Sequence, residues 1–245
     1  MHINTFYSKH RVKAVILAGG SGTRLYPLTQ KTAKCMLPVN GKPLLEHIIR
    51  YLASYGFKEI VVTLGRKRKQ IIDYFGDGSA FNIRLLYSIE SKPLGTAGSF
   101  KNAEKYLYGT TLVMQGDNLS NFDIGKVIAF HKERKAMVTI ALTQVKDPTG
   151  YGIVVTDRQG RITRFEEKPG RFFSDLANSG IYVLEHEVLN HIPRGKVLDF
   201  SRDLFPKLLG RRFPVYGIKM KGYWFDIGTP TSYKHANEYL QKLER

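Results

Sequence analysis

Apolar residues recur along the first 145 positions with two different periods. Largely apolar runs at residues 12–18, 59–64, 83–88, 111–115 and 137–143 read as buried-type strands. Between them, segments 43–55, 69–75, 97–106 and 124–134 carry apolar residues at helical spacing and read as amphipathic helices. Pro43 suits the first helical position, Gly56 stops the first helix, and the Gly76-Asp77-Gly78 turn stops the second. Strands alternating with helices predict an α/β fold, a largely parallel sheet flanked by helices on both faces.

The second half changes character. Runs at 153–156 and 161–166 flank Asp157-Arg158-Gln159-Gly160, which reads as a hairpin turn. A strand at 177–184, a short helix near 200–209, a strand at 213–219 and a final helix at about 230–240 follow. The pattern contains no internal repeat and no linker. It predicts one α/β core with a small antiparallel insertion capping one side.

Composition narrows the function. Of 245 residues, 42% are hydrophobic and 24% charged, an ordinary balance for a chain with a sizeable core. No run approaches the ~20 apolar residues of a membrane helix. Residues 1–11 are polar and basic, and read as a short extension rather than a secretory signal. The single cysteine, Cys35, leaves no internal disulfide and no multi-cysteine zinc site, which points to a reducing, cytoplasmic setting. The net charge of +17 admits a nucleic acid, an anionic membrane surface or a small polyanionic substrate as partner. The dense run Arg66-Lys67-Arg68-Lys69 reads as a solvated first helical turn, and neither a helix-turn-helix nor an RNA-recognition motif accompanies the charge.

The first strand runs into Ile16-Leu-Ala-Gly-Gly-Ser-Gly-Thr-Arg-Leu25, a glycine-rich loop. Leu25 stands where a dinucleotide fingerprint needs its third glycine, and Thr23 where a P-loop needs its lysine. What remains is a long loop whose glycines let N–H groups approach phosphate, with Arg24 in it and Lys34 ten residues on. That combination suits a triphosphate gripped by backbone and by an arginine fork.

These stretches resemble the signature of the sugar-1-phosphate nucleotidyltransferases, or NDP-sugar pyrophosphorylases. "KAVILAGGSGTRLYPLT" and "MLPVNGKPLLEHII" are followed in order by "YFGDGS", "KPLGTAGSF", "MQGDNLS", "YGIVVTD", "FEEKPG", "NSGIYVL", "DLFPKLL" and "GYWFDIGTP". Within the family, the chain looks most like the mannose-1-phosphate guanylyltransferases. The resemblance implies a Rossmann-like, mostly parallel sheet (the nucleotide-diphospho-sugar transferase fold) with a small antiparallel sugar-binding insertion. It implies a single domain over 1–245, with a nucleotide-binding half at about 12–145, a sugar-phosphate half at about 146–229 and a C-terminal helix at 230–245.

The implied reaction joins an NTP to a sugar 1-phosphate, giving an NDP-sugar and pyrophosphate, with Mg²⁺ as cofactor and no general base. GTP and mannose 1-phosphate are the substrates expected. The alternatives are a glucose-1-phosphate uridylyl- or thymidylyltransferase and a non-catalytic NDP-sugar-binding regulatory protein. No nucleic-acid or membrane partner is expected, and a homo-oligomer is left open. By resemblance, Arg24 grips the leaving pyrophosphate, Lys34 the α-phosphate and Lys168 the sugar phosphate. Leu17, Ala18, Gly19, Gly20, Ser21, Gly22 and Thr23, with Gly95 and Thr96, surround the nucleotide. Gly152, Glu167 and Asn178 line the sugar pocket, and Asp117 and Asp226 bind the metal. One departure stands out: the family reads P-K-P-M where this chain has Ala33-Lys34-Cys35-Met36, which removes two φ restraints beside Lys34. Cys35 is given no nucleophilic role. His186 and His191 read as surface residues, Trp224 as packing under the Asp226 loop, and Phe172 and Phe173 as part of a shielding lid.

Overall fold

Strand β1 (Lys13–Leu17) is central because both of its faces are apolar and covered. Ala14 and Ile16 pack on one side, and Val15 faces the other. The computed structural model describes residues 12–20 and 22–243, so Ser21 and the extension at 1–11 lie outside the described residues. Two short strands, β2 (Pro38–Val39) and β3 (Lys42–Pro43), lead into helix α1 (Leu44–Ser54). Pro43 precedes that helix rather than opening it, because its backbone is held in the β2–β3 ladder. Then come β4 (Glu59–Leu64), α2 (Arg68–Phe75), β5 (Arg84–Ile89), α3 (Gly95–Asn102), β6 (Thr111–Gln115), β7 (Asn118–Ser120) and α4 (Ile124–Glu133). The second half adds β8 (Val138–Gln144), β9 (Gly152–Thr156), β10 (Ile162–Glu167), β11 (Leu176–Leu184), α5 (Phe205–Gly210), β12 (Val215–Lys219), β13 (Trp224–Asp226) and α6 (Pro230–Leu243).

Strands β5, β4, β1 and β6 pair in that order, all parallel. Their carboxyl ends therefore share one edge of the sheet, where open α/β sheets bind ligands. β11 then runs antiparallel to β6 and forks the sheet. One edge of β11 takes β6 along residues 181–184 and β9 along 176–177, while the other takes β8, which pairs in parallel with β12. The β9–β10 hairpin accordingly extends the main sheet; the cap expected from the sequence is instead a continuation of it. The reason is Leu176 and Ala177, whose backbone ladder joins the hairpin edge-on.

Helix α1 lays Leu45, Ile48, Ile49 and Leu52 against one face of the sheet, while Ala97, Phe100 and Ala103 cover the other. α6 packs Ala236 and Leu240 against Val39, Leu44, Leu119 and Ile227, close to the site-bearing end. No described helix is long and apolar enough to cross a membrane.

Glu46 is a charged group inside this packing. It is 3% exposed and accepts from Arg50 Nε at 2.7 Å and from the Tyr74 hydroxyl of α2 at 2.7 Å. Burial pushes its pKa up, but those two hydrogen bonds and the Arg50 charge outweigh burial and hold it below its ordinary 4.5. A depressed folded pKa gives stability that is present above 4.5 and lost as pH falls through it. We expect Glu46→Gln to cost about 1–2 kcal/mol at pH 7, the scale of hydrogen bonds to a charged group, and the deficit to shrink below pH ~4. Denaturant melts of both proteins across pH check this.

Candidate active site

The sheet order places the chemistry. Glu90 follows β5, Gly65 follows β4, Ala18 and Gly19 follow β1, and Gly116 and Asp117 follow β6, all on the carboxyl edge. Gly116 donates its N–H to the Leu17 carbonyl at 2.9 Å, stitching the two middle turns together.

Asp117 and Asp226 meet through a two-stranded ribbon. β7 and β13 pair antiparallel with Asp226 opposite Asn118, and the Ile227 N–H donates to the Asp117 carbonyl at 3.0 Å. Two carboxylates more than a hundred positions apart are thus held as neighbours. Burial raises the Asp226 pKa first and the Asp117 charge raises it further, against the opposing charges of Lys34, Arg24 and Lys168. Lys34 Nζ bonds Asp117 Oδ2 at 2.5 Å, while Asp117 Oδ1 is buried without a hydrogen-bond partner. An orphaned buried carboxylate oxygen beside a second buried carboxylate fits a hard divalent cation that keeps waters or phosphate oxygens as its other ligands. Among the described residues no group of three or more His, Cys, Asp or Glu could hold a metal, so this pair fits Mg²⁺ with substrate oxygens better than an all-protein cage.

The pair opens onto a cleft. Of the site residues read from the sequence, Arg24, Asp117, Gly152, Glu167, Lys168, Asn178 and Asp226 line it. Arg24 reaches it from the glycine loop, its guanidinium within 3.2 Å of where a Cβ on Gly228 would lie. Lys168 sits at φ 51°, a left-handed conformation rare for lysine, with its N–H donating to the Tyr151 carbonyl at 2.9 Å. Gly152 lies tight against Glu167 and Phe165: an added Cβ would come within 2.8 Å of both Glu167 Oε2 and the Phe165 ring. Burial raises the Glu167 pKa, offset by the Lys168 and Arg202 charges.

Asn178 lines the cleft, but its amide is largely spoken for. Nδ2 donates to the Tyr182 hydroxyl and to Ser201 Oγ, both at 3.1 Å, and Oδ1 accepts from Gly180 N at 2.9 Å. Trp224 does more than pack: its ring meets Tyr151 edge to face at 5.3 Å and lines the cleft, with Nε1 bonded to the Ser179 carbonyl at 2.8 Å.

The remaining residues lie beside that cleft, along the sheet edge. Leu17, Ala18 and Gly19 end β1. Gly20, Gly22 and Thr23 continue the loop, and Gly22 adopts φ 68° with Lys34 Cβ packed within 3.1 Å of where its own Cβ would be. Gly95 and Thr96 open α3. Gly95 also has a left-handed φ of 72° and lies tight against the Leu198 backbone, and Thr96 is tied to the Asp199 carboxylate. Ser21 lies outside the described residues. Phe172 and Phe173 do not line the cleft; Phe172 is 71% exposed and Phe173 lies under the Arg164 guanidinium at 3.8 Å. Cys35 is buried, and burial pushes its thiol up to about 12, which keeps it an inert thiol. His186 is exposed, and His191 rests against Phe213 at 4.7 Å, remote from the cleft.

Sequence reading missed Tyr151, Ser201 and Glu90. Glu90 is 6% exposed; its Oε1 has no hydrogen-bond partner and lies 3.3 Å from where a Gly19 Cβ would be. Burial raises its pKa, offset by hydrogen bonds from Ser99 and the Leu94 backbone. An acid directly after an apolar strand in so basic a chain was the available signal.

Residues 13–242 match the model of the nucleotidyl transferase family. The chain belongs to this family. It is 39% identical over 233 residues to the mannose-1-phosphate guanylyltransferase of Mycobacterium tuberculosis, covering 94% of this chain and 65% of that one. It is 36% identical over 241 residues to the UTP–glucose-1-phosphate uridylyltransferase of Synechocystis, covering 92% and 62%. The chain thus spans a little under two thirds of these two relatives' length. Among solved structures, HddC from Yersinia pseudotuberculosis complexed with GMP-PN superposes with a TM-score of 0.80 at 32% identity, covering 93% of this chain and 99% of that one.

The crowded carboxylates carry a measurable cost. Without metal or nucleotide, we expect Asp226→Asn to raise Tm by about 2–4 °C, the shift that ~1 kcal/mol of relieved burial and repulsion produces at this size. Calorimetry of both proteins checks this.

Proposed function

We propose that this protein transfers a nucleotidyl group from an NTP to a sugar 1-phosphate, releasing pyrophosphate, and that the pair it uses is GTP and mannose 1-phosphate. The observation that supports the reaction is the convergence of Lys34, Arg24 and Lys168 on one carboxylate pair at the sheet's carboxyl edge. The sugar phosphate is the nucleophile and is largely ionised at pH 7, since its second pKa is about 6, so no general base is required. The work left to the protein is to bring two polyanions together and stabilise charge on the leaving group. Lys168 and Glu167 face the sugar side of the cleft, where they receive its phosphate and hydroxyls. Lys34 lies between the glycine loop and Asp117, where an α-phosphate meets it. Arg24 lies beside Asp226 and takes the departing pyrophosphate. Mg²⁺ held by Asp117 and Asp226 supplies charge neutralisation on phosphate oxygens.

The choice of guanine rests on Glu90. An ionised carboxylate offers two acceptors side by side, and the Watson–Crick edge of guanine presents two adjacent donors, N1–H and the N2 amino group. Uracil and thymine present one donor flanked by carbonyl oxygens, which a carboxylate repels. A side chain at position 19 would press on this carboxylate, and Gly19 leaves its approach unobstructed. The guanylyltransferase among the relatives and the guanine-nucleotide complex of HddC agree with this reading. The uridylyltransferase keeps UTP with glucose 1-phosphate as the second reading.

The test is a grid of nucleoside triphosphates against sugar 1-phosphates, read by pyrophosphate release with and without Mg²⁺. We expect GTP with mannose 1-phosphate to be used best and only with metal, and Glu90→Gln to lower the GTP-to-UTP preference about tenfold or more. Lys34→Ala should lose ~10²–10³ in kcat. Turnover by Lys34→Ala within about twofold of wild type would remove Lys34 from the reaction.

A further inference from the structure

Lys34 sits on a loop with little regular structure of its own, between the glycine loop and β2, and a second element holds it. The Ala33 N–H donates to Gln70 Oε1 of α2 at 2.8 Å, and Gln70 Nε2 donates back to the Lys31 carbonyl at 2.5 Å. Lys67, at the helix N-terminus, donates to the carbonyls of Thr29 and Thr32. Thr29 in turn bonds the Gly22 carbonyl through Oγ1 at 2.6 Å, which closes the clamp onto the glycine loop. A cation at a helix N-terminus opposes the dipole, so Lys67 is poorly placed for α2 itself. Its two loop carbonyls are the favourable contacts that position makes. Arg66, Arg68 and Lys69 around it are exposed.

Ala33 shows why the clamp is built this way. Its φ of −62° is the angle a proline ring would impose, yet its N–H makes a bond that proline cannot. α2 is anchored independently by Ile71 and Phe75 in the core and by the Tyr74 hydroxyl on Glu46. We propose that α2 positions Lys34 through Gln70 and Lys67, and that the Gln70 bond to the Ala33 N–H restrains the backbone beside Lys34 as a proline would. This rests on the role given to Lys34 above. Gln70 touches no substrate; it is a positioning residue.

The test uses Gln70→Ala, Ala33→Pro in that background, and Lys34→Ala alongside. Two readouts are taken: kcat and sugar-phosphate KM, and backbone hydrogen exchange over residues 26–37. With Gln70→Ala we expect faster exchange in that segment, kcat down about tenfold, as misplacement of a reacting group produces, and sugar-phosphate KM within about twofold. Ala33→Pro, whose ring fills the space vacated by the Gln70 amide, should recover both exchange protection and kcat. Wild-type kcat or exchange in Gln70→Ala overturns the proposal, as does a double variant in which kcat stays low. If Lys34→Ala is itself fully active, the reading of Lys34 fails. If Lys34→Ala is inactive while Gln70→Ala turns over normally, only the clamp fails.

Discussion

Two carboxylates that repel each other are held together by a backbone ribbon, and the site is organised around that constraint. The β7–β13 ladder makes Asp117 and Asp226 neighbours whether or not their charges favour it. Inside a partly desolvated cleft, such a pair demands cations. The protein supplies Lys34 directly and places Arg24 and Lys168 close by, while one oxygen of Asp117 is left without a protein partner. The geometry stores a need for positive charge, and the proposed metal–nucleotide complex would meet it.

The parallel strands then decide what lies on either side of this pair. Because β5, β4, β1 and β6 all end on one edge, Glu90, Gly19 and Asp117 fall in a line along that edge. Beyond β6 the direction reverses, and the start of β11 with the facing ends of β9 and β10 brings Asn178, Gly152 and Glu167 to the same edge. The net charge of +17 has a local expression here, since Lys34 faces a carboxylate, Lys67 faces backbone carbonyls, and Arg24 and Lys168 line the cleft. Fixing Lys34 falls to helix α2, which reaches over from the flank of the sheet and is itself braced on Glu46.

Much of this was legible in the chain. The apolar runs marked the strands of the parallel series β5–β4–β1–β6, and most plainly β1, β4 and β6, because strands buried on both faces cannot hide their composition. The glycine loop pointed to the carboxyl edge of the sheet, and ordered motifs carried the rest of the residues. Three things were not legible, each because it depends on a partner distant in sequence. The hairpin reads as a cap until Leu176 and Ala177 are seen pairing with β9. Asp226 is named by its motif, but the β7–β13 ladder that holds it beside Asp117 leaves no trace there. Replacing the prolines around Lys34 reads as a weakened loop until Gln70, 37 positions on, is found bonded to Ala33. Glu90 falls in a fourth class, visible but unread: a lone acid after a strand gains meaning only once its buried, unpaired oxygen is seen beside Gly19.

The central claim is that the Asp117–Asp226 ribbon holds a divalent cation between protein and nucleotide. A crystal structure with Mn²⁺ and a non-hydrolysable guanosine triphosphate, with anomalous scattering to locate the metal, tests it most directly. The account predicts a manganese peak in contact with both carboxylates and with phosphate oxygens, Lys34 turned toward the α-phosphate and the base edge against Glu90. A manganese ion bound by phosphates alone, with Lys34 still paired to Asp117, would contradict it.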